Sequence, residues 1–193
     1  MYPGKYAEQN PDRSAFVMAA TGERVSYQEF EARSNRVAHY LADKGLGFQD
    51  HYSIFMENNN RYLESCAAGE RSGLYFTCIN SFLTSDELAY IINNSESQIL
   101  ITSMSKLEAA QEALAQCTAI KEVLVVGAGD ADLPEGMSDF ASTLSKYPET
   151  PLERELLGAA MLYSSGTTGR PKGIVRPLPE PVSYTHLTLP TNA

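Results

Sequence analysis

At 193 residues the chain has room for one domain or a little more, and 43% hydrophobic against 20% charged residues supplies a packed core. The formal net charge is -9, from 15 basic and 24 acidic residues with no Lys/Arg-rich stripe, which argues against nucleic acid as a partner because phosphate contacts dominate that affinity. No run approaches the roughly 20 consecutive apolar residues of a transmembrane segment. The polar residues that follow Met1-Tyr2-Pro3-Gly4-Lys5 are unlike a secretory signal, so the expected location is cytoplasmic, with peripheral membrane contact left open.

In chain order, Ala15–Ala20, the Gly22 turn and Arg24–Tyr27 predict a hairpin. Ser26 with Glu29 is a capping box that opens a helix, whose Tyr27, Phe30, Val37, Ala38 and Leu41 recur at helical spacing until Gly45 stops it. Tyr52–Met56 reads as a strand, Arg61–Ser72 as a helix and Tyr75–Ile79 as a strand. Thr84 with Glu87 caps a helix through Leu88, Ile91 and Ile92, and Gln98–Thr102 is a short buried strand. Ser105 with Glu108 predicts a further cap, for a helix through Leu107, Ala110 and Leu114, and Glu122–Val126 is a strand ended by Gly127-Ala128-Gly129. Residues 129–151 read as a surface connection holding one short helix, and Ala159–Tyr163 is again strand-like.

Strands alternating with helices predict the α/β class, a layered, mostly parallel sheet flanked by helices, with ligands gathering at the carboxyl ends of its strands. Cys66, Cys78 and Cys117 are far apart in sequence, form no CxxC pair, and show no metal-ligand spacing with His39 or His51. All three are expected to be buried, reduced and structural, and the two histidines to lie on the surface or on a helix face.

The segment Ser164-Ser165-Gly166-Thr167-Thr168-Gly169-Arg170-Pro171-Lys172-Gly173 has the composition of a phosphate-binding loop. Its glycines let backbone N–H groups converge on an anion, its hydroxyls donate to phosphate oxygens, and Lys172 adds compact positive charge. It is not a Walker A loop, because Lys172 does not follow a glycine and is itself followed by Gly173. It is not a dinucleotide G-x-G-x-x-G, nor a hydrolase nucleophile elbow, since Leu162 and Tyr163 stand where the elbow needs glycine. On composition alone, a Ser/Gly/Thr turn with a solvated lysine remains the alternative.

Residue by residue, Tyr163–Gly173 resembles the signature loop of the adenylate-forming superfamily, which includes acyl-CoA synthetases, luciferases and peptide-synthetase adenylation domains. Asn80-Ser81-Phe82-Leu83-Thr84, with Glu87, Leu88 and Tyr90, is similar to an upstream segment of the acyl-CoA branch, and the resemblance covers roughly residues 6–178. It implies an AMP-forming acyl-CoA ligase: a small-molecule carboxylate attacks the α-phosphate of ATP, and coenzyme A then takes the acyl group. It further implies that Ser164, Ser165, Gly166, Thr167, Thr168, Gly169, Lys172 and Gly173 bind ATP, with magnesium (Mg²⁺) bridging the phosphates and Arg170 facing solvent. An adenylation domain that loads a carrier protein, a non-catalytic nucleotide-binding module and a plain structural domain are the alternatives.

Residues 1–179 are thus expected to be the N-terminal part of an AMP-binding domain, of which Arg176-Pro177 departs from the commoner pattern and leaves no histidine role there. Residues 180–193 match nothing in the family and resemble the translation of a transposase sequencing adapter, so they are read as a non-native tail in which His186 has no function. A native Pro-rich ligand peptide is the competing reading. The family's adenine, ribose, acyl and catalytic-lysine positions would lie beyond the chain. The chain alone is therefore expected to be inactive, and poorly soluble or partly molten.

Overall fold

The structure, a computed structural model, describes residues 3–164 and 170–179. Helix α1 (Gly4–Gln9) precedes the antiparallel hairpin of β1 (Ser14–Val17) and β2 (Arg24–Ser26), and Tyr6 stacks on Tyr27 with ring centroids 5.4 Å apart. Helix α2 (Tyr27–Asp43) starts at the predicted capping box: Glu29 N–H donates to Ser26 Oγ at 3.2 Å, and Ser26 N–H to the Glu29 carboxylate at 2.8 Å.

From there the chain lays down β3 (His51–Phe55), α3 (Tyr62–Ser72), β4 (Tyr75–Cys78), α4 (Ser85–Asn94), β5 (Ile99–Ser103), α5 (Leu107–Leu114), β6 (Glu122–Val126), β7 (Met137–Asp139), α6 (Phe140–Leu144) and β8 (Ala159–Ala160). The strands form a six-stranded sheet in the order β7-β6-β5-β3-β4-β8, with every neighbouring pair parallel. Two short strands, β9 (Leu162–Ser164) and β10 (Lys172–Ile174), pair antiparallel beside it. The expected layered α/β architecture is therefore present.

Both faces of the sheet are covered, and the strands alternate to suit. Ile99 and Ile101 of β5 and Leu124 of β6 join Val37, Leu41, Tyr52 and Ile54 in one core. Leu100, Val123 and Val125 point the other way, into a second core with Leu88, Ile91, Ile92 and Ala110 of α4 and α5. Arg71, fully buried, ties α3 to Glu31 of α2 and, at 3.6 Å, to Glu155. The segment after it threads along α3 and β4: Gly158 N–H donates to Glu70 O at 2.8 Å, Ala159 N–H to Leu74 O at 3.0 Å and Met161 N–H to Phe76 O at 2.9 Å.

Four expectations are corrected. Ser105 and Glu108 form no capping box: Lys106 is the N-cap of α5, and Ser105 Oγ instead donates to Glu57 at 2.5 Å. Within 129–151 the chain makes a parallel edge strand, β7, as well as α6, whose Asp139 cap accepts from Ser142 N–H at 2.7 Å. The cysteines are free, but Cys78 is exposed and Cys66 and Cys117 are half-buried. His51 opens central strand β3 and stacks on Tyr75 at 4.8 Å, and burial lowers its pKa. His39 does lie on a helix, hydrogen-bonded to Thr150 O at 2.9 Å.

Candidate functional site

The phosphate-type loop is carried between β9 and β10. In their register Ser164 lies opposite Lys172, Gly173 opposite Tyr163 and Ile174 opposite Leu162. Ser164 and Lys172, both exposed, therefore stand as cross-strand partners at the two roots of the loop. Ser165, Gly166, Thr167, Thr168 and Gly169 lie outside the described residues. At Gly173 a Cβ would run into Met161 and sit 3.1 Å from the Tyr163 ring, so glycine lets the two strands close.

The hairpin is anchored to α4. Tyr90 Oη donates to Pro171 O at 3.1 Å, and the Arg170 guanidinium lies 5.2 Å above the Tyr90 ring. Arg170 is exposed, in keeping with a solvent-facing position, but it has this aromatic partner as well. Tyr163 Oη donates to Asn94 Oδ1 at 2.7 Å, and burial, followed by the nearby Tyr90, pushes its pKa up to about 12. Further along, Tyr75 Oη donates to Arg176 O at 2.7 Å. Helix α4 is itself held by its cap, where the Glu87 carboxylate accepts from Thr84 N–H at 2.9 Å and Glu87 N–H donates to Thr84 Oγ1 at 3.4 Å.

These anchors bring the upstream segment at Asn80–Thr84 and the loop's stem to one place. A cavity of about 250 Å³ opens between them, walled by Cys78, Asn80, Leu83 and Ile91 on one side and by Tyr163, Ser164 and Pro171 on the other. It lies at the carboxyl end of β4, where ligands of open α/β sheets collect. Beside it, a second cavity of about 300 Å³ is lined by Glu57, Tyr62, Asn80 and Phe82. Burial raises the Glu57 carboxyl, but hydrogen bonds from Ser103, Ser105, its own N–H and Asn59 outweigh it and bring the pKa to about 2. Among the described residues, no three His, Cys, Asp or Glu side chains are grouped to hold a metal ion.

Residues 5–186 match the family described as AMP-binding enzyme. The chain belongs to that family. Among curated relatives, a 3-oxocholest-4-en-26-oate–CoA ligase of Rhodococcus rhodochrous is 31% identical over 169 residues, 86% of this chain and 30% of its own length. An acyl-CoA synthetase of Caenorhabditis elegans is 27% identical over 172 residues, 88% of this chain and 32% of that protein. The fold is shared with the crystal structure of an anthranilate CoA ligase in complex with anthranoyl-AMP, at TM-score 0.76 and 21% identity, covering 90% of this chain and 34% of that one. The chain thus spans about 30% of the length of the curated relatives it matches.

Within this AMP-binding chain, the loop's composition was readable from sequence, as was Tyr90 through the upstream segment. Asn94, Tyr75 and Cys78 were not: the first two bond to the stem and its continuation, and Cys78 lines the cavity beneath it, each across many positions of sequence with no local pattern to mark it. No helix among the described residues is long and apolar enough to cross a membrane.

Proposed function

We propose that the longer protein is an ATP-dependent, AMP-forming acid–thiol ligase for a fatty acid or related carboxylate, and that the Ser164–Gly173 loop binds the ATP phosphates. The observation that carries this is the pairing of exposed Ser164 and Lys172 across the roots of a glycine-rich loop, seated at the carboxyl end of the sheet. A hydroxyl and an ammonium converging there suit an anion, and the loop between them adds two glycines, three more hydroxyls and their N–H groups.

On this reading Ser164, Ser165, Thr167, Thr168 and Lys172, with the N–H groups of Gly166, Gly169 and Gly173, hold the β- and γ-phosphates. They would steady charge that builds on pyrophosphate as the carboxylate attacks the α-phosphate. Mg²⁺ arriving with the nucleotide would supply further neutralisation of that charge. Tyr90 and Asn94 position the stem rather than touch substrate. Coenzyme A is proposed as the acceptor, supported by relatives that are named as a CoA ligase and an acyl-CoA synthetase. A cytoplasmic location accompanies this reading, because ATP and coenzyme A are drawn from that pool.

Carboxylate-dependent exchange of pyrophosphate into ATP tests the loop in the longer protein. Lys172→Ala is expected to lower exchange by about 10²-fold, the scale of removing one preorganised charge-stabilising donor. Wild-type exchange in Lys172→Ala would overturn the assignment. The present chain alone is expected to show no exchange, since it lacks most of the length of its relatives.

Residues 180–193 are proposed to be a non-native tail, although the family match extends into them as far as residue 186. Genomic DNA read past codon 179 decides this. Family sequence continuing in frame after Pro179 supports the proposal, and a native stop after Ala193 overturns it.

A further inference from the structure

Two of the three cysteines, separated by a helix turn and a strand in sequence, meet in space. Cys66 projects from α3 and Cys78 ends β4, and their Sγ atoms are 3.6 Å apart. The approach is built into the fold. Gly73, at φ 69°, ends α3 and lets β4 run back beneath it. Gly69 brings the helix down onto the sheet, where a Cβ would sit 2.6 Å from Tyr52 Oη and 2.7 Å from Phe76 Cδ1. A disulfide needs the sulfurs about 2.05 Å apart, so they must close by roughly 1.5 Å, a distance that side-chain rotation can supply.

The two thiols are also unequal. Cys78 is exposed and Cys66 half-buried. The thiol–thiol contact with Cys66 holds the Cys78 thiol below its usual range against the effect of burial, and the Tyr62 hydroxyl acts in the same sense. The same interaction, with burial, pushes the Cys66 thiol up. This is the division expected of an attacking thiolate and a resolving thiol.

We propose that Cys66 and Cys78 are a peroxide-reactive dithiol that closes to an intramolecular disulfide. The Cys78 thiolate attacks one oxygen of hydrogen peroxide; the O–O bond breaks, and hydroxide leaves and takes up a proton as water. Cys78 is then a sulfenic acid. The Cys66 sulfur attacks the Cys78 sulfur and gives up its proton, the S–O bond breaks, and a second water departs. In sum two thiols lose two electrons and two protons, and one peroxide becomes two waters. Because Cys78 also lines the cavity beneath Ser164, the disulfide draws its sulfur from that cavity toward α3.

The test is peroxide treatment of the folded chain, followed by denaturation, alkylation of remaining thiols and peptide mass spectrometry. The expected product is a Cys66–Cys78 cross-linked peptide lighter by two hydrogens, reversed by dithiothreitol, with Cys117 alkylated in full. In Cys66→Ala, Cys78 should stop at a sulfenic acid that dimedone captures, whereas Cys117→Ala should cross-link as wild type does. The urea-unfolded chain should cross-link at least about tenfold more slowly, since the fold supplies the proximity. Equal rates folded and unfolded would overturn the proposal. So would Cys78 passing to sulfinic acid with no cross-link, or a cross-link that involves Cys117.

Discussion

Glu64 is 1% exposed on the first turn of α3, with Arg61 Nη1 3.4 Å from both carboxylate oxygens. Burial raises its pKa to about 7, with Arg61 and then Arg33 pulling the other way. An acid whose folded pKa lies above its unfolded value near 4.5 favours the folded state most below that pH, and this contribution is lost as pH rises through about 7. The loss is on the order of 3 kcal/mol. Glu57 has the opposite sign, its pKa lowered to about 2, but its contribution is in place above about 4.5 and lies outside this window. His51, lowered by burial from 6.5, gains stability with rising pH near that value, so the informative quantity is the difference between two proteins. Urea unfolding from pH 4.5 to 7.5 should show wild type losing stability relative to Glu64→Gln; parallel curves would show that Glu64 is charged in the fold throughout.

At the level of elements, a capping pattern is legible only while its partners stay local. Ser26 with Glu29 and Thr84 with Glu87 close their boxes as the sequence implies. Ser105 with Glu108 has the same spacing and does not, because Glu57, at the end of β3, accepts from Ser103 and Ser105 at 2.5 Å each and removes the hydroxyl. Strand β7 was hidden for a related reason: it is three residues long, and parallel pairing to β6 leaves no hairpin signal. The loop at 164–173 was legible because its chemistry is contiguous, but the tyrosines that seat it come from β4 and α4. The element that delivers the loop is β8, and its entry depends on Gly158. A Cβ there would overlap the backbone carbonyl oxygens of Gly69 and Leu74, which cannot move without breaking α3 and β4. Gly158→Ala is expected to cost about 3 kcal/mol or more, read as a lower urea midpoint. A midpoint within about 0.5 kcal/mol of wild type would show that β8 is not held there.

For the molecule as a whole, the order β7-β6-β5-β3-β4-β8 puts the strands richest in buried apolar residues at the centre and leaves edges of three and two residues. Because helices cover both faces, this sheet needs no further layer over its centre. The β9–β10 hairpin is different. Leu162 and Ile174 are register partners on it, 52% and 50% exposed, and Val175 beside them is 48% exposed. Adjacent exposed apolar side chains of this kind draw non-specific association, so the chain should bind the dye ANS and aggregate through the hairpin rather than through a loosened core. Leu162→Thr with Ile174→Thr places a β-branched residue in each strand while removing apolar surface. The double variant should lose most of the ANS signal and stay monomeric at higher concentration, with its unfolding midpoint within about 1 kcal/mol of wild type, since neither side chain belongs to the buried core. An unchanged ANS signal would place the exposed apolar surface outside the hairpin, at side chains such as Phe82 (88% exposed) or Val17 (52%) or in a loosened core.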